Sequence, residues 1–185
     1  MTFVLLLLVL FLQLLPLLFT QQPKSGKSQT VAVQVADEMS LLESGHATKL
    51  RAAPRNSELK IVSYNIRWRS GDDLKELIRL LREDVEIGSP SVVALQEVDR
   101  QKKRSGKTNT AKQLAEELGL YYAWAAPPSV KGVEEEETGV ALLSPYPLFD
   151  VRRIVLPHEG PGHRRRVALG ACVKLDNVDL RIYSA

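Results

Sequence analysis

The sequence predicts an α+β fold with helices packed outside its sheets, and three observations carry that prediction. Strand-like and helix-like periods alternate twice between residues 59 and 119, and five strand-like segments with no further helical period follow from residue 121. The chain has 185 residues, 44% of them hydrophobic and 25% charged, which suits one compact core. Its single cysteine, Cys172, excludes a disulfide framework and is expected to be a small buried hydrophobe. A net charge of +3 is too small to imply a nucleic-acid binder by itself.

The chain opens with FVLLLLVLFLQLLPLLF, an uncharged run from Phe3 to Phe19 broken only by Gln13 and Pro16. Its length lies between a signal-peptide core and a minimal membrane span. No Lys or Arg precedes it, Leu18 stands where a cleavage site wants a small residue, and Lys24 and Lys27 follow it. Residues 1–20 are therefore expected to be a signal peptide or an N-terminal membrane anchor. The expected location is secreted, extracytoplasmic, or membrane-anchored through residues 3–19. Residues 21–58, rich in Gln, Ser, Lys and Ala, are expected to be a flexible linker. The stretch VAVQVADEMSLLES within it has the composition for a short strand or helix, but a tether is the simpler reading.

The organised part begins at Leu59. LKIVSYNIRW places Ile61, Ser63 and Asn65 on one face and Val62, Tyr64 and Ile66 on the other, a strand buried on at least one side. Asp72 or Asp73 is expected to cap a helix whose apolar positions are Leu74, Leu77, Ile78, Leu81 and Val85, stopped by Gly88 and Pro90. SVVALQEV reads as a short apolar strand between Ser91 and Asp99. A basic loop leads to a second helix, TAKQLAEEL, with Ala111, Leu114, Ala115 and Leu118 inward and Gly119 as its stop. Strands are expected at 121–125, 139–144, 149–156, 165–174 and 177–184.

Asn65 and Glu97 stand out as polar side chains near the ends of apolar strands. A carboxylate taken out of water needs a cation or hydrogen-bond donors, so Glu97 requires a partner. A carboxylate beside an amide oxygen suits Mg²⁺, which prefers hard oxygen ligands and keeps several waters. A solvated strand-end Glu and an Asn making a turn are the simpler alternative.

SYNIRW around Asn65, VVALQEVDR around Glu97 and TGVALLSPYPL from Thr138 resemble the first three motifs of the endonuclease/exonuclease/phosphatase (deoxyribonuclease I-like) superfamily. RRRVALGACVKLDNVDLRIYSA resembles its next strand pair, so the likeness covers residues 59–185 in order. The resemblance implies a four-layer α/β sandwich and Mg²⁺-dependent (alternatively Mn²⁺-dependent) hydrolysis of phosphate esters. It implies that Glu97 is the principal metal ligand and that Asn65 helps hold the metal or its water. Arg166 aligns with an Arg that often precedes this strand in the family, where a guanidinium would clamp a phosphate oxygen. Arg100 and Lys102, with Lys103, Arg104 and Lys107, lie in the loop that family geometry places beside the active site, as candidate phosphate contacts.

Two departures from the family pattern matter. Val140 stands where members often carry a polar residue, so no catalytic role is assigned there. The family His that follows RIYSA, and later Asp–Asn and Asp–His pairs, would lie beyond Ala185. Sandwich domains commonly take roughly 200–250 residues, whereas residues 59–185 number 127. The expectation is thus the N-terminal part of such a domain, truncated after its first half, with apolar faces of Ile61, Val93, Leu142 and Val173 exposed.

Other clusters are weaker. His158 and His163 flank Glu159 in a Gly- and Pro-rich loop, a pattern more often solvated than metal-binding, and His46 falls in the linker. Glu134 to Glu137 form a run of four acids expected in a hairpin loop. Aromatics do not alternate with the basic residues, which leaves a single-strand stacking platform unsupported. The expected function is a metal-dependent phosphoesterase, nuclease-like or directed to a lipid head group or small phosphoester. The alternative is a catalytically inactive, membrane-anchored remnant or binding module. No protein partner is evident; the expected partners are the phosphate ester and, if the leader is uncleaved, a membrane.

Overall fold

A computed structural model of the chain describes residues 40–54, 58–128, 137–158, 165–175 and 178–185. The leader, the linker as far as residue 39, the acids Glu134–Glu136, and Glu159 and His163 lie outside the described residues. No helix among the described residues is long and apolar enough to cross a membrane.

Among the described residues eight strands and two α-helices follow one another: β1 (Leu42–His46), β2 (Ile61–Asn65), α1 (Gly71–Glu83), β3 (Val92–Arg100), α2 (Thr110–Leu118), β4 (Tyr121–Ala125), β5 (Glu137–Ser144), β6 (Leu148–Val155), β7 (Val167–Leu175) and β8 (Val178–Ser184). They make a five-stranded sheet in the order β1-β4-β5-β3-β2 and a three-stranded sheet in the order β6-β7-β8. Among the described strands only β2 and β3 pair in parallel, because α1 connects them as a crossover. The expected α+β class is what forms.

Alternation along β3 divides the core. Val93 and Leu95 face the helices and pack with Leu74, Leu77, Ile78 and Leu81 of α1 and Leu114, Ala115 and Leu118 of α2. Val92 and Ala94 face the other way and, with Ala123, Val140 and Leu142, meet Val167, Leu169, Ala171 and Val173 of the second sheet. Helices, first sheet and second sheet thus stack in three layers among the described residues. The expectation of exposed apolar faces fails at Val93, Leu142 and Val173, each 1% exposed or less, because the helices cover Val93 and the two sheets pack face to face over Leu142 and Val173. It holds at Ile61, 49% exposed on the edge strand β2.

The helices start and stop for local reasons. Ser70, not Asp72 or Asp73, is the N-cap of α1, and the two acids lie in its first turn, where they complement the helix dipole. Val85, expected in the apolar stripe, lies beyond the helix end at Asp84 and is exposed. Asn109 caps α2 by accepting from the amides of Ala111 and Lys112, and Gly119 ends it in the left-handed conformation. Where β5 passes Ala125, a Cβ on Gly139 would lie 2.0 Å from that residue's carbonyl oxygen, so only glycine fits.

The expected flexible linker is corrected over residues 40–54. Its segment LESGH forms β1, paired antiparallel to β4 from Leu42↔Ala125 to His46↔Tyr121. Long-range partners make the strand: Leu41 is buried, and the Glu43 carboxylate accepts from the Tyr122 hydroxyl at 2.7 Å and from Arg100 Nη1 at 3.2 Å. Burial pushes the Glu43 carboxyl up, but hydrogen bonds from Tyr122, Asn109 and Arg100 outweigh it and hold it below its ordinary value of 4.5. The stability this confers is present above that ordinary value and is lost as pH falls through the lower folded one. Glu43→Gln is expected to cost about 0.5–1 kcal/mol at pH 7 after solvent screening, and to flatten the acid limb of a urea-denaturation series below about pH 4.5.

Candidate functional site

β2 and β3 deliver Asn65 and Glu97 to the same end of the first sheet. Their parallel register sets Asn65 opposite Gln96. Between Gln96 and Val98 the pairing of β3 with β5 shifts, and the extra residue is Glu97, whose φ is +55°. A bulge of this kind re-aims one side chain while the ladder continues on both sides. The re-aimed carboxylate meets Asn65, whose Nδ2 donates to Glu97 Oε1 at 2.9 Å. Asn65 Oδ1 in turn accepts from the Arg67 amide at 2.9 Å. The structure brings the two expected residues together, with Asn65 directly holding the carboxylate in place. Glu97 is half-buried rather than sealed from water, and among the described residues no group of three or more His, Cys, Asp or Glu side chains could hold a metal ion.

The turn after β2 locks onto the bulge. The amides of Ile66 and Trp68 donate to the carbonyls of Gln96 and Glu97, both at 3.0 Å, and the Arg69 amide closes the turn on the Ile66 carbonyl at 3.0 Å. Arg67 and Trp68, the two central residues, have φ of +46° and +52°. That is the backbone of a mirror-image turn, which Asn and Gly normally supply. For side chains as large as Arg and Trp the left-handed region costs roughly 1–2 kcal/mol each. Together with Glu97, three strained residues meet at one corner, a concentration typical of functional sites.

A polar seam underlies the corner. Gln96 Nε2 donates to Ser63 Oγ at 3.4 Å and Ser184 Oγ at 3.3 Å, and Ser184 Oγ donates to the Leu95 carbonyl at 3.0 Å. The end of β8 in the second sheet is thereby fixed against β3, one residue from Glu97. Gln96 and Ser184 escaped sequence reading because only the packing of the two sheets joins them.

On the loop side, the charges sort into structural and accessible groups. Asp99 is fully buried and takes Arg104 Nε and Nη2 at 2.7 and 3.0 Å and Thr138 Oγ1 at 2.7 Å. The Arg104 guanidinium lies over the Trp68 ring, 4.2 Å from its centroid. Arg100, a candidate phosphate contact from sequence, is instead committed inward. It pairs with Glu137 at 2.6 Å and Glu43 at 3.2 Å, donates to the Ser40 carbonyl and stacks on Trp124. Burial pulls its guanidinium down, but the two carboxylates hold it above its ordinary value. The same pair removes Glu137 from the expected solvated acid run. In β3 the strand continues through Asp99 and Arg100, two residues past its expected end, because both charges find partners there.

Lys102 is half-buried, and its carbonyl accepts from the amides of Ser105 and Lys107, closing the loop on itself. Arg166 is exposed, three residues before Leu169, which pairs with Ser184, so it stands at the end of the second sheet that carries the site. His158 lies past the end of β6, and His46 is part of β1 with its ring on the edge of Tyr121. Cys172 is buried as expected. Val140 is buried between the sheets.

Comparison with known proteins bears on the fold and the family. No curated protein matches the chain. An endonuclease/exonuclease/phosphatase family protein from Leptotrichia buccalis C-1013-b superposes with a TM-score of 0.52 at 18% identity, covering 69% of this chain and 54% of that one. The crystal structure of SmcL gives a TM-score of 0.47 at 16% identity, covering 70% and 48%. The chain thus spans about half the length of these solved structures. The likeness to the Leptotrichia protein shows a shared deoxyribonuclease I-like fold. The profile described as Endonuclease/Exonuclease/phosphatase family matches residues 62–180, a span that runs from β2 into β8 and takes in both Asn65 and Glu97, and the chain belongs to that family.

Proposed function

We propose that the chain is a metal-dependent phosphoesterase acting on phosphodiesters, with Glu97 and Asn65 at its reacting end. The observation that carries this reading is the bulge that turns the Glu97 carboxylate out of the sheet and onto Asn65 Nδ2 at 2.9 Å. The donor set fits a hard divalent cation. Among the described residues Glu97 Oε2 accepts no hydrogen bond, and one carboxylate with an amide oxygen nearby suits Mg²⁺ or Mn²⁺ retaining several waters. Such a cation, when bound, supplies stabilisation of charge on phosphoryl and leaving oxygens.

The chain's own groups do the rest. Glu97 contributes the negative charge, and Asn65 fixes its orientation as an outer hydrogen-bond partner does for a metal ligand. The Ser63–Gln96–Ser184 seam keeps the ends of β2, β3 and β8 from separating. Lys102, Lys103, Lys107 and Arg166 give the approach a positive potential that favours an anionic ester. The apolar leader, residues 3–19, supports a secreted or membrane-anchored location.

The test is hydrolysis of bis(p-nitrophenyl) phosphate by the full chain. Hydrolysis that stops on chelation and returns with Mg²⁺ or Mn²⁺ is the expected result. No hydrolysis under conditions where calorimetry shows the cation bound would leave a binding module in place of an enzyme.

A further inference from the structure

We propose that Trp68 and Arg104 form a stacking platform for a planar base, which makes the ester of this site a nucleotide rather than a lipid head group. The inference rests on the phosphoesterase reading and narrows its substrate.

Three observations converge on the platform. Trp68 is 44% exposed, although its neighbour in the turn, Ile66, is fully buried. Its amide is bonded to the carbonyl of Glu97 at 3.0 Å, which ties its backbone to the residue that carries the carboxylate. Its backbone is held in the left-handed region with that of Arg67, a conformation that a smaller residue would occupy at lower cost. A large exposed ring kept on a strained turn, beside the site rather than in the core, is better explained by what it presents than by what it packs.

Arg104 gives the platform its chemistry. Two hydrogen bonds to the buried Asp99 fix the guanidinium plane, and the plane lies 4.2 Å from the centroid of the Trp68 ring while 41% of the side chain remains exposed. A purine or pyrimidine laid against this pair extends a ring–guanidinium stack, a mode by which proteins hold unstacked bases. A trimethylammonium head group is disfavoured at the same place. Its usual partner is an aromatic face, and here a guanidinium already lies over the ring. Arg67 and Arg69 flank the tryptophan, so a cationic group would also meet like charge, whereas a phosphate would not.

The chain has two tryptophans, and the other, Trp124, is fully buried, so quenching of intrinsic fluorescence reports on Trp68. The full chain is titrated with adenosine 5′-monophosphate, ribose 5-phosphate and phosphocholine, with calorimetry in parallel. Adenosine 5′-monophosphate is expected to quench saturably and to bind about 10-fold more tightly than ribose 5-phosphate, which carries the same phosphate without the base. Phosphocholine is expected to leave the fluorescence unchanged. Trp68→Asn, whose side chain tolerates the left-handed turn, is expected to unfold cooperatively near the wild-type midpoint and to lose that 10-fold preference. Trp68→Phe is expected to keep most of it.

Equal binding of the two sugar phosphates, or quenching by phosphocholine as strong as by the nucleotide, overturns the proposal. So does a Trp68→Asn chain that no longer unfolds cooperatively, since the ring would then be structural. Hydrolysis of a simple diester without base preference leaves the phosphoesterase reading intact and removes only the platform. Base preference through Trp68 in a chain that hydrolyses no diester does the reverse.

Discussion

Glu97→Gln is expected to lower kcat/KM for phosphodiester hydrolysis by about 10³-fold while leaving the fold in place. The substitution keeps the shape of the side chain and retains an oxygen able to accept from Asn65 Nδ2, now 2.9 Å from Glu97 Oε1. What it removes is the negative charge of Glu97, and among the described residues no group of three or more acids, His or Cys could take over. On the proposed reading several kcal/mol of charge stabilisation at a phosphoryl group depend on that charge, and about 4 kcal/mol corresponds to the expected factor. Calorimetric titration with Mg²⁺ should show weaker binding by the variant, and excess Mg²⁺ should restore part of the rate. Asn65→Ala, which leaves the charge but releases the carboxylate, is expected to cost 10–100-fold in the same assays. Equal activity of Glu97→Gln and wild type would place the chemistry elsewhere.

Much of this arrangement was legible in the sequence because it follows from short-range pattern. The second helix declares itself through Leu114, Ala115 and Leu118 at helical spacing and Gly119 at its end, and the structure places it at Thr110–Leu118. The strands from residue 121 onward read correctly because apolar alternation is a local property. Asn65 and Glu97 were visible as polar residues in apolar strands.

What was illegible depends on partners far along the chain. β1 carries a glycine and three polar residues in five, and becomes a strand only because Leu41 is buried and Glu43 meets Tyr122 and Arg100, which lie 79 and 57 residues further on. Arg100 looked like a phosphate contact because its neighbours are basic, yet two carboxylates from different strands hold it inward. The bulge at Glu97 and the strained turn at Arg67–Trp68 have no signal of their own, since no glycine marks either position. Sequence pattern therefore located the carboxylate but not the device that aims it.

Arg104→Met is expected to destabilise the folded chain by about 3 kcal/mol, measured as a fall in the urea midpoint at unchanged slope. Asp99 is fully buried, and among the described residues Arg104 supplies two of its three side-chain hydrogen bonds. Methionine fills similar volume but leaves a buried carboxylate with only the Thr138 hydroxyl, which is the costly way to break such a pair. The expected loss sits at the low end of the usual 3–5 kcal/mol because 41% of the Arg104 side chain is exposed, so water can follow the methionine inward. Adding Asp99→Asn should recover part of the loss by removing the unpaired charge, and the coupling in the double-mutant cycle then measures the pair itself. The effect should also reach the site, because Arg104 ties its loop to the turn after β2 through Trp68 and through the bond from Ser70 Oγ to its carbonyl at 3.0 Å. A loss below about 1 kcal/mol would mean that water already shares Asp99 with the guanidinium, and the loop would then be held by the bond from Ser70 Oγ to the residue-104 carbonyl rather than by charge.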